Sequence, residues 1–195
     1  MVFAGSNIMK ITIITTSFNS AATIETTLSS VASQTNANVE HIIVDGGSTD
    51  GTLDIIDKYR SGLLQVISEP DNGIYDAMNK GLALATGEIV GILNSDDLYA
   101  GPHVLKKITD IFSNPSIEAT YADLVYVRPD NLDRVVRYYS GSEFTPDKFA
   151  WGWMPPHPTF FVRRELYEQY GLFKTDYKIA ADFELTARLL FRHMV

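Results

Sequence analysis

The chain predicts an α/β fold with a largely parallel central sheet and helices on its faces. Three observations carry that expectation. Through residue 97, short β-branched runs alternate with stretches whose apolar residues recur at helical spacing. The connections between them are short, as expected of parallel strands joined by right-handed crossovers through helices. Polar residues collect after the strands, at Thr16 to Asn19, Asp45 to Asp50 and Asn94 to Asp97. Such a fold brings all three loops to one edge, where open α/β sheets bind ligands.

In order, Lys10 to Thr16 (KITIITT) reads as the first strand, broken by Ser17-Phe18-Asn19-Ser20. Ile24, Leu28 and Val31 mark the first helix. Val39 to Val44 is the second strand, ending in the Gly-, Asp- and Ser-rich loop Asp45 to Thr52, with Leu53, Ile56 and Tyr59 marking the helix behind it. Leu64 to Ser68 is the third strand, and Glu69-Pro70-Asp71-Asn72-Gly73 is a turn signal. Ile74, Met78, Leu82 and Ala85 form a helix stripe. Ile89 to Leu93, punctuated by Gly87 and Gly91, is a buried strand running into Asn94-Ser95-Asp96-Asp97. Beyond it, Val104, Ile108, Ile111 and Phe112 mark a helix stopped by Asn114-Pro115. Ala119 to Val127 and Val135 to Tyr139 read as strands joined by a turn at Pro129-Asp130-Asn131. An aromatic, Pro-rich stretch from Phe149 to Pro158 has little regular signal. Thr159 to Val162 is a short strand, Arg164 to Tyr170 a helix, and Ala181 to His193 a last helix.

The 195 residues suffice for one well-buried domain, expected over residues 9–195. Residues 1–8, before Met9, read as a disordered extension without the features of a signal peptide. A net charge of −8 and the lack of a basic block argue against nucleic acid as a partner. With no cysteine, disulfides and thiolate metal sites are excluded, and a cytoplasmic location is permitted. No apolar run approaches the length of a membrane span, so any membrane association is expected to be peripheral, at the inner face.

Adjacent acids at the end of a buried strand are costly unless a positive charge sits beside them. Asp96 and Asp97 suit a divalent cation carrying a diphosphate, which takes one or two carboxylates and fills its remaining positions with water and phosphate. Read alone, Asp97 has the alternative of capping a turn or a helix.

Taken together, TTSFN at 15–19, IIVDGGSTDGT at 42–52, GIYDAMNKGLALATGEIVGILNSDDL at 73–98, HPTFF at 157–161 and ADFEL at 181–185 resemble the family 2 glycosyltransferases. The resemblance covers Lys10 to about Arg192. It implies a GT-A fold: a single Rossmann-like domain with a mixed, mainly parallel sheet, a nucleotide-binding half over about 9–98 and an acceptor half over about 99–195. It also implies an inverting transferase that moves a sugar, from a UDP-sugar first of all, to a saccharide or lipid-linked acceptor in cell-surface polysaccharide synthesis. Thr16 and Phe18 would lie along the base and ribose, Phe18 either stacking on the base or filling core. Asp45 and Asp50 would contact the nucleotide or hold their own loop. Many members carry a second acid where this chain has Gly46. Asp96 would face the ribose, and Asp97 would hold Mg²⁺ or Mn²⁺. Asp182 would be the base that takes the acceptor's proton, or a cap of the last helix. His157 is a phosphate or metal candidate, or an ordinary hydrogen-bonded histidine. Trp151 and Trp153 are either acceptor platforms or loop anchors. Glu184 is a candidate acceptor contact, and Lys80, Arg163 and Arg164 are candidate phosphate cations. Members continue past the point where this chain stops, so a fragment with a shortened acceptor side is also expected.

Two other enzyme classes fit less well. A sugar-nucleotide pyrophosphorylase or a dinucleotide oxidoreductase needs a Gly-rich phosphate loop after the first strand, where this chain has Ser17-Phe18-Asn19-Ser20. A non-catalytic nucleotide-sugar-binding module is the alternative from outside the enzymes.

Overall fold

The computed structural model describes residues 9–35, 37–60 and 64–193. The expectation for residues 1–8 falls outside them. The chain runs β1 (Lys10–Ser17), α1 (Ile24–Ala32), β2 (Asn38–Asp45), α2 (Thr52–Lys58), β3 (Leu64–Ser68), α3 (Ile74–Leu84), β4 (Ile89–Ile92) and α4 (Val104–Phe112). Then follow β5 (Ala119–Thr120), β6 (Leu124–Arg128), β7 (Asn131–Tyr139), β8 (Phe161–Arg163), α5 (Arg164–Tyr170) and α6 (Ala181–Ala187). Strand order is β3-β2-β1-β4-β8-β5, with β6 and β7 forming a separate two-stranded sheet. β1 to β4 are mutually parallel, while β8 runs antiparallel to both β4 and β5. The sheet is mixed and mainly parallel, as the sequence predicts.

The strands read as near-continuous apolar runs because helices cover both faces. Successive side chains alternate between those faces. Ile14, Ile42, Val44, Val90 and Ile92 pack with Met78 and Leu82 of α3 and with Leu166 and Leu185 of α5 and α6. Ile11, Ile13, Ile89 and Leu93 pack on the other side with Leu105, Ile108 and Phe112 of α4. Two glycines permit close approach. A Cβ on Gly81 would lie 2.4 Å from Ile14, and one on Gly91 would lie 2.3 Å from the Phe161 ring.

Four expectations change in detail. The strand expected over Ala119 to Val127 is two strands in different sheets. The chain leaves the main sheet at 121–123, where Thr159 holds Ala122 and the Asp123 carboxylate accepts from Gly141 N at 2.8 Å. The strand expected from Thr159 begins at Phe161, because His157–Thr159 forms a 3₁₀ turn containing Pro158, which has no N–H to give a ladder. Ile111 points outward, since Leu105, Ile108 and Phe112 complete the buried face of α4. The last helix is α-helical only to Ala187 and continues as a wider π turn, Arg188–Arg192. Among the described residues, no helix is long and apolar enough to cross a membrane.

Burial of His41 has a thermodynamic consequence. The ring is 6 % exposed and bonded to Thr15 Oγ1 at 3.0 Å, and its desolvation lowers the imidazole to about 3. Below pH 6.5 the unfolded chain binds a proton here that the folded chain refuses. Stability is therefore full above pH 6.5 and is expected to fall by about 1.4 kcal/mol per pH unit toward pH 3 from this residue alone. Neighbouring Glu40 adds to the loss below pH 4.5. Burial opposes its ionisation, but bonds from Lys10, Thr12 and Thr86 prevail and hold it near 2. Urea midpoints measured from pH 7 to 4.5 check this: His41→Gln should flatten the dependence, and an unchanged slope would refute it.

Candidate active site

Strand order reverses at β1, whose neighbours are β2 on one side and β4 on the other. The loops after β1 and β4 therefore emerge side by side, at the switch point where doubly wound sheets bind ligands. Thr16 Oγ1 donates to Asn94 Oδ1 at 3.1 Å, and the Ser20 and Ser95 hydroxyls meet at 2.8 Å. Because β8 runs backwards beside β4, the turn before it also reaches this edge. Asn94 Nδ2 stands 3.1 Å from His157 Nε2. With Oδ1 already accepting, Asn94 must donate, which leaves the His157 proton on Nδ1. Burial lowers the pKa of His157 against the opposing pull of Asp182 and Asp96, which favours the neutral ring.

The second loop is built around Asp45, which is fully buried. Its Oδ1 accepts from Ser17 at 3.0 Å and Ser48 at 2.5 Å. Its Oδ2 accepts from Gly47 N, Ser48 N and Ser68 Oγ at 3.0, 2.9 and 2.9 Å. Asp50 is likewise engaged by Thr52 and by Ala21 N. Asn19, in a left-handed conformation with φ of 49°, zips the first loop to the second through Ser48 and Thr49 N. Of the two readings for Asp45 and Asp50, the structure displays loop-holding. Thr16, 6 % exposed, is turned toward Asn94 rather than outward. Phe18 is 64 % exposed beside Gly46, which removes the core alternative for its ring.

Asp97 is not a cap. α4 begins seven residues later, without a side-chain cap bond. The Asp97 backbone carbonyl accepts from Thr27 at 2.7 Å, but among the described residues no hydrogen bond or ion pair reaches its carboxylate. Burial, and then the adjacent charge of Asp96, raise it to about 6. A half-buried acid without a donor, beside a second, exposed acid, fits a divalent cation. Asp97 would hold that cation with Asp96 next to it. Among the described residues no three acids or histidines are gathered to bind a metal by themselves. A cation that takes most of its ligands from phosphate and water needs no such cluster.

Asp182 lies in the first turn of α6, whose N-cap is Ala180 at a positive φ of 68°. No side-chain cap bond forms there. Instead Asp182 Oδ1 accepts from the Tyr75 hydroxyl at 3.0 Å, and the Tyr75 ring stacks on Phe173 at 5.8 Å. Burial and the Asp182 charge keep that phenol protonated.

The remaining candidates divide. Glu184 is paired with Lys174 and Arg188 at 2.8 and 2.9 Å and is not free for an acceptor. Trp153 is an anchor, stacked between Tyr139 and Phe144 at 5.7 and 5.3 Å. Trp151 is 86 % exposed. Lys80 pairs with Glu69 and Asp76, Arg163 with the carbonyls of Phe112, Asn114 and Ile117, and Arg164 with Gly87 O and Glu168. All three cations are therefore engaged by the scaffold.

Residues 12–171 match the model of "Glycosyl transferase family 2". The chain belongs to glycosyltransferase family 2.

An uncharacterized glycosyltransferase of Mycobacterium tuberculosis is 33% identical over 180 residues, covering 91% of this chain and 68% of the relative. A PGL/p-HBAD biosynthesis glycosyltransferase of Mycobacterium bovis is 34% identical over 179 residues, covering 90% and 68%. Among solved structures, the mannosyltransferase PcManGT of Pyrobaculum calidifontis, in complex with GDP-Man and Mn²⁺, superposes with a TM-score of 0.72 at 27% identity. That match covers 95% of this family 2 chain and 52% of PcManGT. S. aureus TarS 1-349 with UDP also gives 0.72, at 25% identity, covering 91% of this chain and 54% of that one. The chain thus spans about half the length of these solved structures. Their GT-A architecture is the one expected from the sequence.

Asn94, Tyr75 and Asn19 also carry this geometry, although the sequence reading assigned none of them a role. Asn94 had a usable signal, being the first polar residue after a buried strand. Tyr75 had none, because its partner is 107 positions away.

Proposed function

We propose that this chain catalyses inverting, metal-assisted transfer of a sugar from a nucleoside diphosphate donor, a UDP-sugar first of all, to a hydroxyl of a saccharide or lipid-linked acceptor. One observation carries the reading: an acid, Asp97, that no donor reaches among the described residues, at the β4 end of an edge that also holds His157, which feels the charge of Asp182. The neighbours crystallised with GDP-Man and Mn²⁺ and with UDP support the donor class and the metal. The relative named for PGL/p-HBAD biosynthesis, a glycolipid pathway, supports a lipid-linked acceptor.

The chemistry is a single displacement. Asp182 Oδ2 takes the proton of the acceptor hydroxyl while Tyr75 holds Oδ1. The acceptor oxygen bonds to the anomeric carbon from the face opposite the diphosphate, and the carbon–oxygen bond to the diphosphate breaks. Mg²⁺ or Mn²⁺ held by Asp97 would neutralise charge as it grows on the leaving group. His157, kept neutral, offers its Nδ1–H as a donor at the same edge.

Calorimetric titration of UDP, GDP, dTDP and CMP, each with and without Mn²⁺, tests the donor site. Metal-dependent binding of a diphosphate is expected, and its absence for all four would refute the proposal. Binding of a nucleotide sugar with neither transfer nor hydrolysis would favour the non-catalytic module. Within the active reading, Tyr75→Phe is expected to lower kcat about tenfold with KM for the donor unchanged, since it loosens the base without touching the nucleotide edge. A rise in donor KM at constant kcat would contradict that role.

A further inference from the structure

We propose that Asp71 reads the base of the donor nucleotide, selecting bases whose hydrogen-bonding edge carries a protonated ring nitrogen, as in uracil, thymine and guanine. This rests on the donor-site reading above and deepens it. A Cβ added to Gly46 would lie 2.7 Å from Asp71 Oδ2 and 3.2 Å from Phe18 Cδ2. The space a side chain at 46 would enter is therefore already filled by the carboxylate of residue 71, which arrives from the loop between β3 and α3. Glycine at 46 is what lets that acid stand beside the exposed Phe18 ring.

The carboxylate is held in place yet half free. Oδ1 accepts from Gly73 N at 2.8 Å, while among the described residues no hydrogen bond or ion pair reaches Oδ2. The other acids of these two loops are occupied: Asp45 and Asp50 by their own loop, and Glu69 by Lys80. A planar base laid on Phe18 would find one unspent acceptor at its edge. A ring N–H donates to that oxygen in a charge-assisted bond. Cytosine and adenine present a ring nitrogen lone pair there, which a carboxylate repels.

The test is calorimetry on the full chain with Mn²⁺ and UDP, GDP, CDP and ADP. Asp71→Asn keeps an oxygen for Gly73 N and turns a donor toward the base. It is expected to weaken the preferred diphosphate about 10- to 100-fold while CDP is unchanged or tighter. Gly46→Asp should bind poorly in the wild-type background, where it collides with Asp71. In the Asp71→Gly background the same change should recover at least fivefold over Asp71→Gly alone. Unchanged affinity in Asp71→Asn, equal loss across all four nucleotides, or no recovery in the swap overturns the role of Asp71 while leaving the donor site standing. No metal-dependent binding by the wild type overturns both.

Discussion

Asp97→Asn is expected to lose metal-dependent nucleotide binding, at least 100-fold, and to be more stable than the wild type without metal. Both effects follow from one environment. Among the described residues no donor reaches the carboxylate, and burial beside Asp96 raises it to about 6. A raised carboxyl holds its proton more tightly when folded, so stability falls as pH rises from the unfolded value near 3.8 through 6. Above pH 6 the ionised acid stays a burden on the metal-free fold, of order 1–3 kcal/mol. Asparagine has the same shape and no charge, so it removes the burden along with the ligand. Urea denaturation in EDTA at pH 8, beside calorimetry with Mn²⁺, measures both. A variant that binds as before refutes the metal role, and a less stable variant refutes the electrostatic account. Gain in stability with loss of function is what a charged binding site held in advance of its ligand should give.

Asp182→Asn is expected to reduce sugar transfer about 10²- to 10⁴-fold while nucleotide affinity changes less than twofold. Asparagine can still accept from Tyr75 through Oδ1, so the stacking of Tyr75 on Phe173 persists. It cannot take a proton from an attacking hydroxyl. Product formation under saturating donor, with nucleotide binding measured separately, distinguishes the two losses. Transfer within tenfold of the wild type would remove Asp182 from the chemistry.

The parallel half of the fold was legible because its strands are buried on both faces and its helices carry clear apolar stripes. β3 and α5 appear at the residues expected, and β1 and β2 within a residue of them. Legibility failed where long-range contacts decide. β5 ends at Thr120 because Thr159 captures Ala122, and the apolar content of 119–127 says nothing of that. In the site, loop residues at strand ends were identifiable by type and position, but not by what they touch. Asp45 and Asp97 are both acids after strands. One is saturated by five donors and the other meets none among the described residues, a difference set by serines at 17, 48 and 68 that only folding assembles. Glu184 looked as available as Asp182 until Lys174 and Arg188 closed on it.

The backward run of β8 has a consequence for how such a chain can diversify. The chain leaves the donor edge after Asp97 and is back there at His157, after which β8, paired with β4 from Ile89 to Gly91, carries it away again. That excursion behaves as a closed loan of chain: its exit and return points are fixed on the same rim, whatever happens between them. The β6–β7 hairpin, solvent-facing over most of its length with a two-residue tip at Pro129 and Asp130, lies within that excursion. Lengthening or exchanging it should change the outer surface of the chain without disturbing that rim. Insertions at the tip can then be accommodated while the rim at Asp97 and His157 keeps its shape.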